Sequence, residues 1–504
     1  MTEMAVTFKK IRSLLGSKIG SLRVSTQAED KKGFFNSHWR FNKKAKGLIV
    51  FAIIAVMLIS VFGFLPRGNN TPVKPLPTDI PVASPDDTAT PRATSSPTSK
   101  PSDPFSPITD LFGGIGHSIV EALIPPRAPG TVEAAGVMNS SVWRQVARNA
   151  WNYFQPGVGV KAETGLPGSG SGVPYFTDWD LGVYIQAVMD ANITGLISSD
   201  GPWGSSARLE KVVSWLETRE LNSTTLYPYW FYTSDGTNYH ENSDIARGPV
   251  DGVDTGRLFV ALNNLRNFNT SLSPRINDIV LHQGPYHNRT DYSPLIQSIK
   301  ADCQTSVSIY AYYIYSGYAA FWPELADSTT QVLNNMRAAG NVTVDGVQLP
   351  KADLLGDPLI CSVFETANNS QLSTIAHQFY LAHEAYYGDT GQYRAFSEGG
   401  SISTHWAYEY VVLDDGRTWT VLDETYHDFQ IYPMIYTKIA ISFLALYNTT
   451  YAYNMVVYLE KTLPDPTNGY AEGVDEAGNQ LTGAGLNTNA MIVESARYAI
   501  QNSP

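Results

Sequence analysis

Residues 176–193 read FTDWDLGVYIQAVMDANI. Counted from Asp178, their apolar side chains recur at i, i+3 and i+4, the spacing that gathers side chains on one face of a helix. The spacing predicts a helix over 178–193, and the pattern returns at 141–154, 206–219, 254–268, 293–315, 325–339, 369–388, 434–447, 451–463 and 488–501. Asp178, Ser206, Asp254 and Ser293 are the expected N-caps, because a short oxygen-bearing side chain satisfies the free N–H groups of a first turn. Breaks rich in Gly, Pro and Asn separate the segments. One β-hairpin is expected at 406–422 (WAYEYVVLDDGRTWTVL), where Asp415-Gly416 is a turn signal between alternating strands. About ten helices in a body running from 138 to 504 predict a mainly α fold, a toroid of α/α pairs rather than a bundle.

The chain has 504 residues, 43% hydrophobic, 12% aromatic and 16% charged. That is ample for a large core and excludes a disordered or collagen-like protein. Its net charge of −12 is unevenly placed: residues 1–46 carry 11 Lys and Arg against 3 Asp and Glu, and the rest carry 24 against 44. The body is therefore strongly acidic. Phosphate binding needs a positive field, so a nucleic-acid partner is excluded for it.

Between the two parts lies GLIVFAIIAVMLISVFGFL, residues 47–65, without a charge. As a helix it would reach roughly 28 Å, one bilayer core. It is too long for a signal peptide and no small-residue cleavage site follows, so an uncleaved transmembrane anchor is expected. Lys43, Lys44 and Lys46 abut it, which predicts a cytoplasmic tail over 1–46 and an outward-facing body, a single-pass protein of the cell membrane. Residues 66–107 hold 11 of the 30 prolines, and 66–137 is expected to be a stalk and transition ahead of the folded domain at 138–504. Nine Asn-X-Ser/Thr sequons all follow the span, at Asn69, Asn139, Asn192, Asn222, Asn269, Asn288, Asn341, Asn368 and Asn448. The two cysteines, Cys303 and Cys361, also follow it; a disulfide and two separate buried thiols are the alternatives.

Metal and nucleotide signatures are missing, and no metal is expected. His383-Glu384 begins a zinc-protease helix but position 387 is Tyr, and Gly168-Ser169-Gly170-Ser171-Gly172 lacks the serine position of a nucleophile elbow and reads as a flexible loop. What remains is acidic residues beside aromatics at element ends: Asp178-Trp179-Asp180, Tyr229-Trp230-Phe231-Tyr232, Asp254, Glu398 and Tyr470-Ala471-Glu472. Sugar rings stack on aromatic faces, and two carboxylates can divide acid and base work at a glycosidic bond. Each has a structural alternative: Asp178 and Asp254 as caps, Trp179 and Trp230 as core, Glu398 in a turn.

The motifs FTDWDLG (176–182), YPYWFY (227–232), VDTGRLFVAL (253–262), AHEAYYGDTG (382–391), RAFSEGG (394–400), GYAEGVDEAG (469–478) and LNTNAMIVESA (486–496) resemble, in order and spacing, the domain-of-unknown-function 3131 family, whose members look like glucoamylase-type helical toroids. The resemblance implies an (α/α)6-type toroid whose loops converge on a cleft. It directs attention to Glu398 and Glu472 as the acid/base pair and to Asp180 and Asp254 as groups that bind hydroxyls or orient water. Asp178, Trp179, Trp230, Tyr232, Tyr470 and Asn489 are the expected substrate-binding residues. A raised pKa is expected for the acid, from burial near an aromatic such as Tyr470, and an inverting pair would stand about 6.5–9.5 Å apart. The expected function is a membrane-anchored glycoside hydrolase acting on a polysaccharide; the rival is a glycan-binding or structural module that does not cleave. A third reading makes the acids and Asn489 a calcium site. The acidic body favours neutral or cationic sugars.

Overall fold

The computed structural model describes residues 138–223, 225–239, 252–284, 290–366, 369–403 and 405–502. The expected tail, membrane span and stalk, together with Asn69, Asn288 and Asn368, lie outside the described residues; among these, no helix is long and apolar enough to cross a membrane. Thirteen α-helices are present among them. They are α1 (Ser140–Trp151), α2 (Asp178–Ile193), α3 (Ser205–Thr218), α4 (Gly252–Phe268), α5 (Ser273–Leu281), α6 (Ser293–Asp302) and α7 (Ile309–Phe321). There follow α8 (Ala326–Ala338), α9 (Gly356–Glu365), α10 (Ser370–Thr390), α11 (Thr437–Tyr447), α12 (Thr450–Thr462) and α13 (Leu486–Asn502).

Six of these close a ring. Helix α2 packs on α4, α4 on α7, α7 on α9, α9 on α11, α11 on α13, and α13 returns to α2. Each inner helix carries an outer partner: α3 on α2, α5 on α4, α8 on α7, α10 on α9, α12 on α11 and α1 on α13. The fold is a helical toroid. Residue pattern sorts the layers, because a helix that is apolar all round must be covered all round, whereas an amphipathic one needs a single neighbour. In α2, 13 of 16 residues are buried. In α1 the buried set is Val142, Trp143, Val146, Ala147, Ala150 and Trp151, one stripe.

Where α4 crosses α7 the backbones nearly touch. An ideal Cβ on Gly317 would lie 2.1 Å from the Gly256 carbonyl oxygen, and one on Gly256 would lie 2.8 Å from the Ile314 carbonyl oxygen. Only glycine allows this approach.

Four small antiparallel sheets complete the fold. They comprise β1 (Tyr175–Phe176) with β2 (Tyr232–Thr233); the hairpin β3 (Asn341–Val344) and β4 (Val347–Pro350); β5 (Glu398–Gly400), β6 (Trp406–Val412) and β7 (Thr418–Asp423); and β8 (Met434–Tyr436), β9 (Ala471–Asp475) and β10 (Gln480–Ala484). Strand β1 runs into α2, β8 into α11 and β10 into α13. The sheets thus gather at the N-terminal ends of inner helices.

Several expectations change. The helix expected over 293–315 is two, because the backbone of 303–308 is drawn outward: Asn335 Nδ2 donates to the carbonyls of Cys303 (3.0 Å) and Ser306 (3.1 Å), and Asp353 N–H to Val307 (3.0 Å). Residues 434–436 are strand β8, paired to β9, rather than the start of a helix. Helices α5 and α9 were not expected; both open with a Pro-containing turn that reads as a break. The cap of α2 is Thr177, with Asp180 closing a capping box, so Asp178 is the first helical residue. Gly204 and Tyr292 take the cap positions expected of Ser206 and Ser293, and Asp254 lies inside α4. Cys303 and Cys361 are free and buried, so no disulfide joins them. The hairpin at 406–422 is present as β6 and β7. Asn139, Asn192, Asn222, Asn269, Asn341 and Asn448 all retain exposed surface.

Gly317→Ala should destabilise the protein by about 3 kcal/mol, because the clash is with backbone that cannot step aside. Gly388→Ala, in α10 with nothing within 4 Å of its ideal Cβ, should instead stabilise it by about 0.5–1 kcal/mol. Urea unfolding of the two variants, followed by far-UV circular dichroism, checks both signs.

Candidate active site

The second residue of four inner helices points to one place: Tyr310 on α7, Asp357 on α9, Lys438 on α11 and Asn487 on α13. Asp357 is the centre of the group. Lys438 Nζ donates to Asp357 Oδ2 at 2.6 Å, Asn487 Nδ2 donates to the same oxygen, and Ser397 Oγ donates to Oδ1 while accepting the Asp357 N–H at 2.8 Å. Lys438 Nζ also donates to the Glu398 carbonyl oxygen at 2.7 Å. A buried carboxylate and ammonium thus hold the backbone of β5 against α9 and α11. Four helix N-termini converging here add partial positive charge that favours nearby carboxylates.

Glu398 projects from this anchored strand. It is 3% exposed, and its Oε1 accepts the Tyr310 hydroxyl. The Tyr310 ring lies against Trp179, centroids 5.6 Å apart. Burial raises the Glu398 pKa and Asp357 raises it further, while Lys438 and the Tyr310 hydrogen bond hold it down; the result is a shift from the ordinary 4.5 to about 8. Glu398 is therefore largely protonated at neutral pH.

Glu472 approaches from β9. Its Oε2 accepts the Thr488 hydroxyl at 2.6 Å. Its Oε1 occupies the space over Gly485, where an ideal Cβ would stand 1.6 Å away. Asn489 fixes both sides of this arrangement: Oδ1 accepts the Tyr470 N–H at 2.7 Å, and Nδ2 donates to the carbonyls of Tyr470 (3.1 Å) and Gly485 (2.8 Å). Burial raises the Glu472 pKa and Asp357 adds to this, opposed by Lys438 and Thr488. Burial disfavours the Lys438 charge, but Asp357, Glu472 and Glu398 together outweigh it and raise its pKa. Lys438 is thus within electrostatic reach of both glutamates. Glu472 is half-buried, so it has the solvent access that Glu398 largely lacks.

The other expected residues divide. Asp180 is half-buried, and its Oδ2 accepts the Ser169 hydroxyl (2.6 Å) and the Thr177 N–H (3.0 Å); burial raises the Tyr153 pKa and both Asp180 and Glu472 add to it, so Asp180 borders the Glu472 side. Trp179 joins the site through Tyr310. Asp178 pairs with Arg219 at 2.6 Å and accepts the Thr255 hydroxyl at 3.3 Å, a buried structural link between α2 and α4. Asp254 accepts the Trp230 indole N–H at 3.3 Å. Tyr232 is fully buried, with its hydroxyl donated to the Glu220 carbonyl at 2.6 Å, and Tyr470 is buried too. The aromatic beside the raised glutamate is Tyr310, and Tyr470 instead serves through its backbone.

Other motifs settle as structure. His383 is buried, with Nδ1 on the Phe379 carbonyl at 2.8 Å and Nε2 accepting the Phe396 N–H at 3.1 Å, and burial lowers its pKa to about 3. The Gly168–Gly172 loop is tied down rather than flexible: Ser169 bonds Asp180, Ser171 Oγ donates to the Ala484 carbonyl at 3.1 Å, and Gly170 bridges Gly485. Among the described residues, the group of His, Cys, Asp and Glu with ligand atoms within 4.8 Å of one another is Cys361, Glu365 and Glu494, away from the acids expected to bind calcium. There Arg257 pairs with Glu365 at 2.7 Å.

The residues not anticipated are Tyr310, Asp357, Lys438, Asn487 and Thr488. Lys438 carried a signal, a single charge within the apolar run TKIAISFLAL. Asp357 was hidden because its helix was read as a break.

No curated protein matches the chain in sequence. Solved structures similar in chain path include the endo-β-1,2-glucanase of Chitinophaga pinensis (TM-score 0.47, 12% identity, covering 73% of this chain and 96% of that one). The endo-β-1,2-glucanase of Talaromyces funiculosus is comparable (0.48, 10%, 71% and 84%), as is the cellobiose 2-epimerase of Spirochaeta thermophila (0.40, 11%, 72% and 97%). At these values nothing about activity follows. Residues 145–502 match the family described as protein of unknown function (DUF3131), most of the chain and all but the edges of the toroid, and the protein belongs to that family.

Proposed function

We propose that the protein is a glycoside hydrolase held outside the cell by residues 47–65, with Glu398 as general acid and Glu472 as general base. The observation that carries this reading is the unequal setting of two glutamates around one lysine. Glu398 is buried, bonded by a neutral phenol and shifted to about 8, so it holds a proton to give. Glu472 keeps some exposed surface and is bonded by a hydroxyl; burial raises its pKa too, but Lys438 and Thr488 oppose that rise, and of the two glutamates it is the one placed to meet water. In the proposed step the Glu398 proton passes to the glycosidic oxygen as the bond from that oxygen to the anomeric carbon breaks. A water on the opposite face gives its hydroxyl to the anomeric carbon and its proton to Glu472, which inverts the configuration. The ion pair of Asp357 and Lys438 keeps β5 in place throughout. Asp180 and Asp254 are proposed to bind substrate hydroxyls or orient water.

One observation favours the rival, a glycan-binding or structural module: Asp178 and Asp357, two of the acids near the ring mouth, are committed to buried ion pairs. Neither acid has a part in the proposed step.

The full-length chain should release sugar from one or more members of a polysaccharide panel, and Glu398→Gln and Glu472→Gln should each lower kcat by at least about a hundredfold. Binding by all three proteins without product from any would support the rival. The protonated form of Glu398 is required, so kcat/KM should fall as pH rises through about 8. Tyr310→Phe removes a hydrogen bond that favours the ionised form, and this alkaline limb should then move to higher pH. A limb that stays put would disconnect it from Glu398.

Gly485→Ala places a methyl group where the Glu472 carboxylate stands, and a flexible side chain can swing away. The variant should keep its melting temperature within a few degrees and lose activity like Glu472→Gln. The anchor is tested separately: in intact cells an added protease should remove the body and leave the basic tail protected.

A further inference from the structure

We infer that the face of the β5–β6–β7 sheet is an aromatic ledge on which a chain of neutral pyranose units lies as it leads to Glu398. This deepens the hydrolase reading and rests on it for direction, but the ledge itself is read from strand register. Glu398 stands opposite Tyr408, and Gly400 opposite Trp406. Directly opposed residues of an antiparallel pair share a face, as do residues two apart on one strand. Glu398, Tyr408 and Trp406 therefore occupy the same face, with the glycine leaving open space beside the tryptophan. Exposure falls along it, from 43% at Trp406 through half-buried Tyr408 to 6% at Tyr410. Glu398 stands opposite the middle residue of the three, one step inward of Trp406.

Tyr426 completes the ledge. Its ring stacks on Tyr408, centroids 5.4 Å apart and planes 13° from parallel, while Tyr426 itself stays 57% exposed. Its backbone has φ of 61°, the left-handed region. A residue with a Cβ is strained there, and Asn or Gly would hold the turn more easily. Laid flat against Tyr408 and exposed on its outer side, the Tyr426 ring offers a stacking surface of its own. Pyranose units present C–H groups to such faces. Trp406 and Tyr408 are two strand residues apart, roughly 6.6–7 Å, a spacing that suits successive units of a chain rather than one small molecule.

Charge selects among chains. The turn beside the ledge holds Asp423, Glu424 and Asp428, all with exposed surface, with His405 against Glu424 at 3.0 Å and Arg417 against Asp428 at 2.5 Å. A polyuronate or phosphorylated glycan would meet this acidic rim unfavourably.

The test uses full-length Glu398→Gln, which should not turn over its ligand, with tryptophan fluorescence and calorimetry against neutral gluco-, manno- and galacto-oligosaccharides of two to six units and a polygalacturonate series. Affinity for at least one neutral series should rise with length. Adding Trp406→Ala should weaken the hexamer by roughly tenfold and leave the dimer unchanged. Adding Tyr426→Asn should do the same while keeping or raising the melting temperature, which separates lost binding from lost folding. Absence of binding to every neutral series, a hexamer bound equally well after Trp406→Ala, or preferred binding of polygalacturonate overturns the ledge. Length-dependent binding lost in Trp406→Ala, with no product from the unmutated chain, supports the ledge and sinks the hydrolase. Product formation from hexamers with KM indifferent to Trp406→Ala sinks the ledge alone.

Discussion

Lys438 is almost completely buried on an apolar helix, a position that charged lysine occupies only when its charge is met. Asp357 meets it at 2.6 Å, and the Glu398 carbonyl takes a second N–H. Around that pair, Ser397 and Asn487 complete the hydrogen bonding of the carboxylate. Removing one partner of such a pair leaves a buried charge alone, at a cost of about 3–5 kcal/mol. The pair joins α9, α11, α13 and the strand that carries Glu398. The position of Glu398 is thus set by an ion pair between two other residues.

The same burial makes the site a strain on stability. Glu398 binds its proton more tightly in the folded chain than in the unfolded one, where its pKa would be about 4.5. As pH rises from 4.5 toward 8 the unfolded chain releases that proton first, and stability falls across this window. Glu409, buried and shifted upward chiefly by burial, acts in the same direction. The described body tolerates several such groups because most of its inner helices are wrapped in apolar side chains.

Much of this was legible in the residues. The 3.6-residue period located most helices because apolar stripes are repeated many times over, and α2 agrees with its expected bounds at both ends. Glu398 and Glu472 stood out as acidic residues at element ends, in motifs that carry the family resemblance. Asp357 did not, because the turn Gly356-Asp357-Pro358 has the composition of a loop while its role is set by Ser397, Lys438 and Asn487, from 40 to 130 residues away in sequence. Tyr232 and Tyr470 misled for the converse reason: an aromatic beside an acid reads the same whether its ring meets ligand or core. Neighbours across the ring decide which, and spacing along the chain does not carry that information.

The ring closes between α13 and α2, so its last helix seats against one of its first. A chain made from its N-terminal end would present five inner helices before the sixth arrives. Until α13 docks, Asp357 lacks Asn487, Glu472 lacks Thr488, and the Gly485 and Tyr470 backbones lack Asn489. Acquisition of the site therefore coincides with completion of the fold. A molecule arrested or clipped ahead of residue 486 would hold both glutamates, yet Glu472 would lack the partner that seats it and Asp357 one of the donors that surround it.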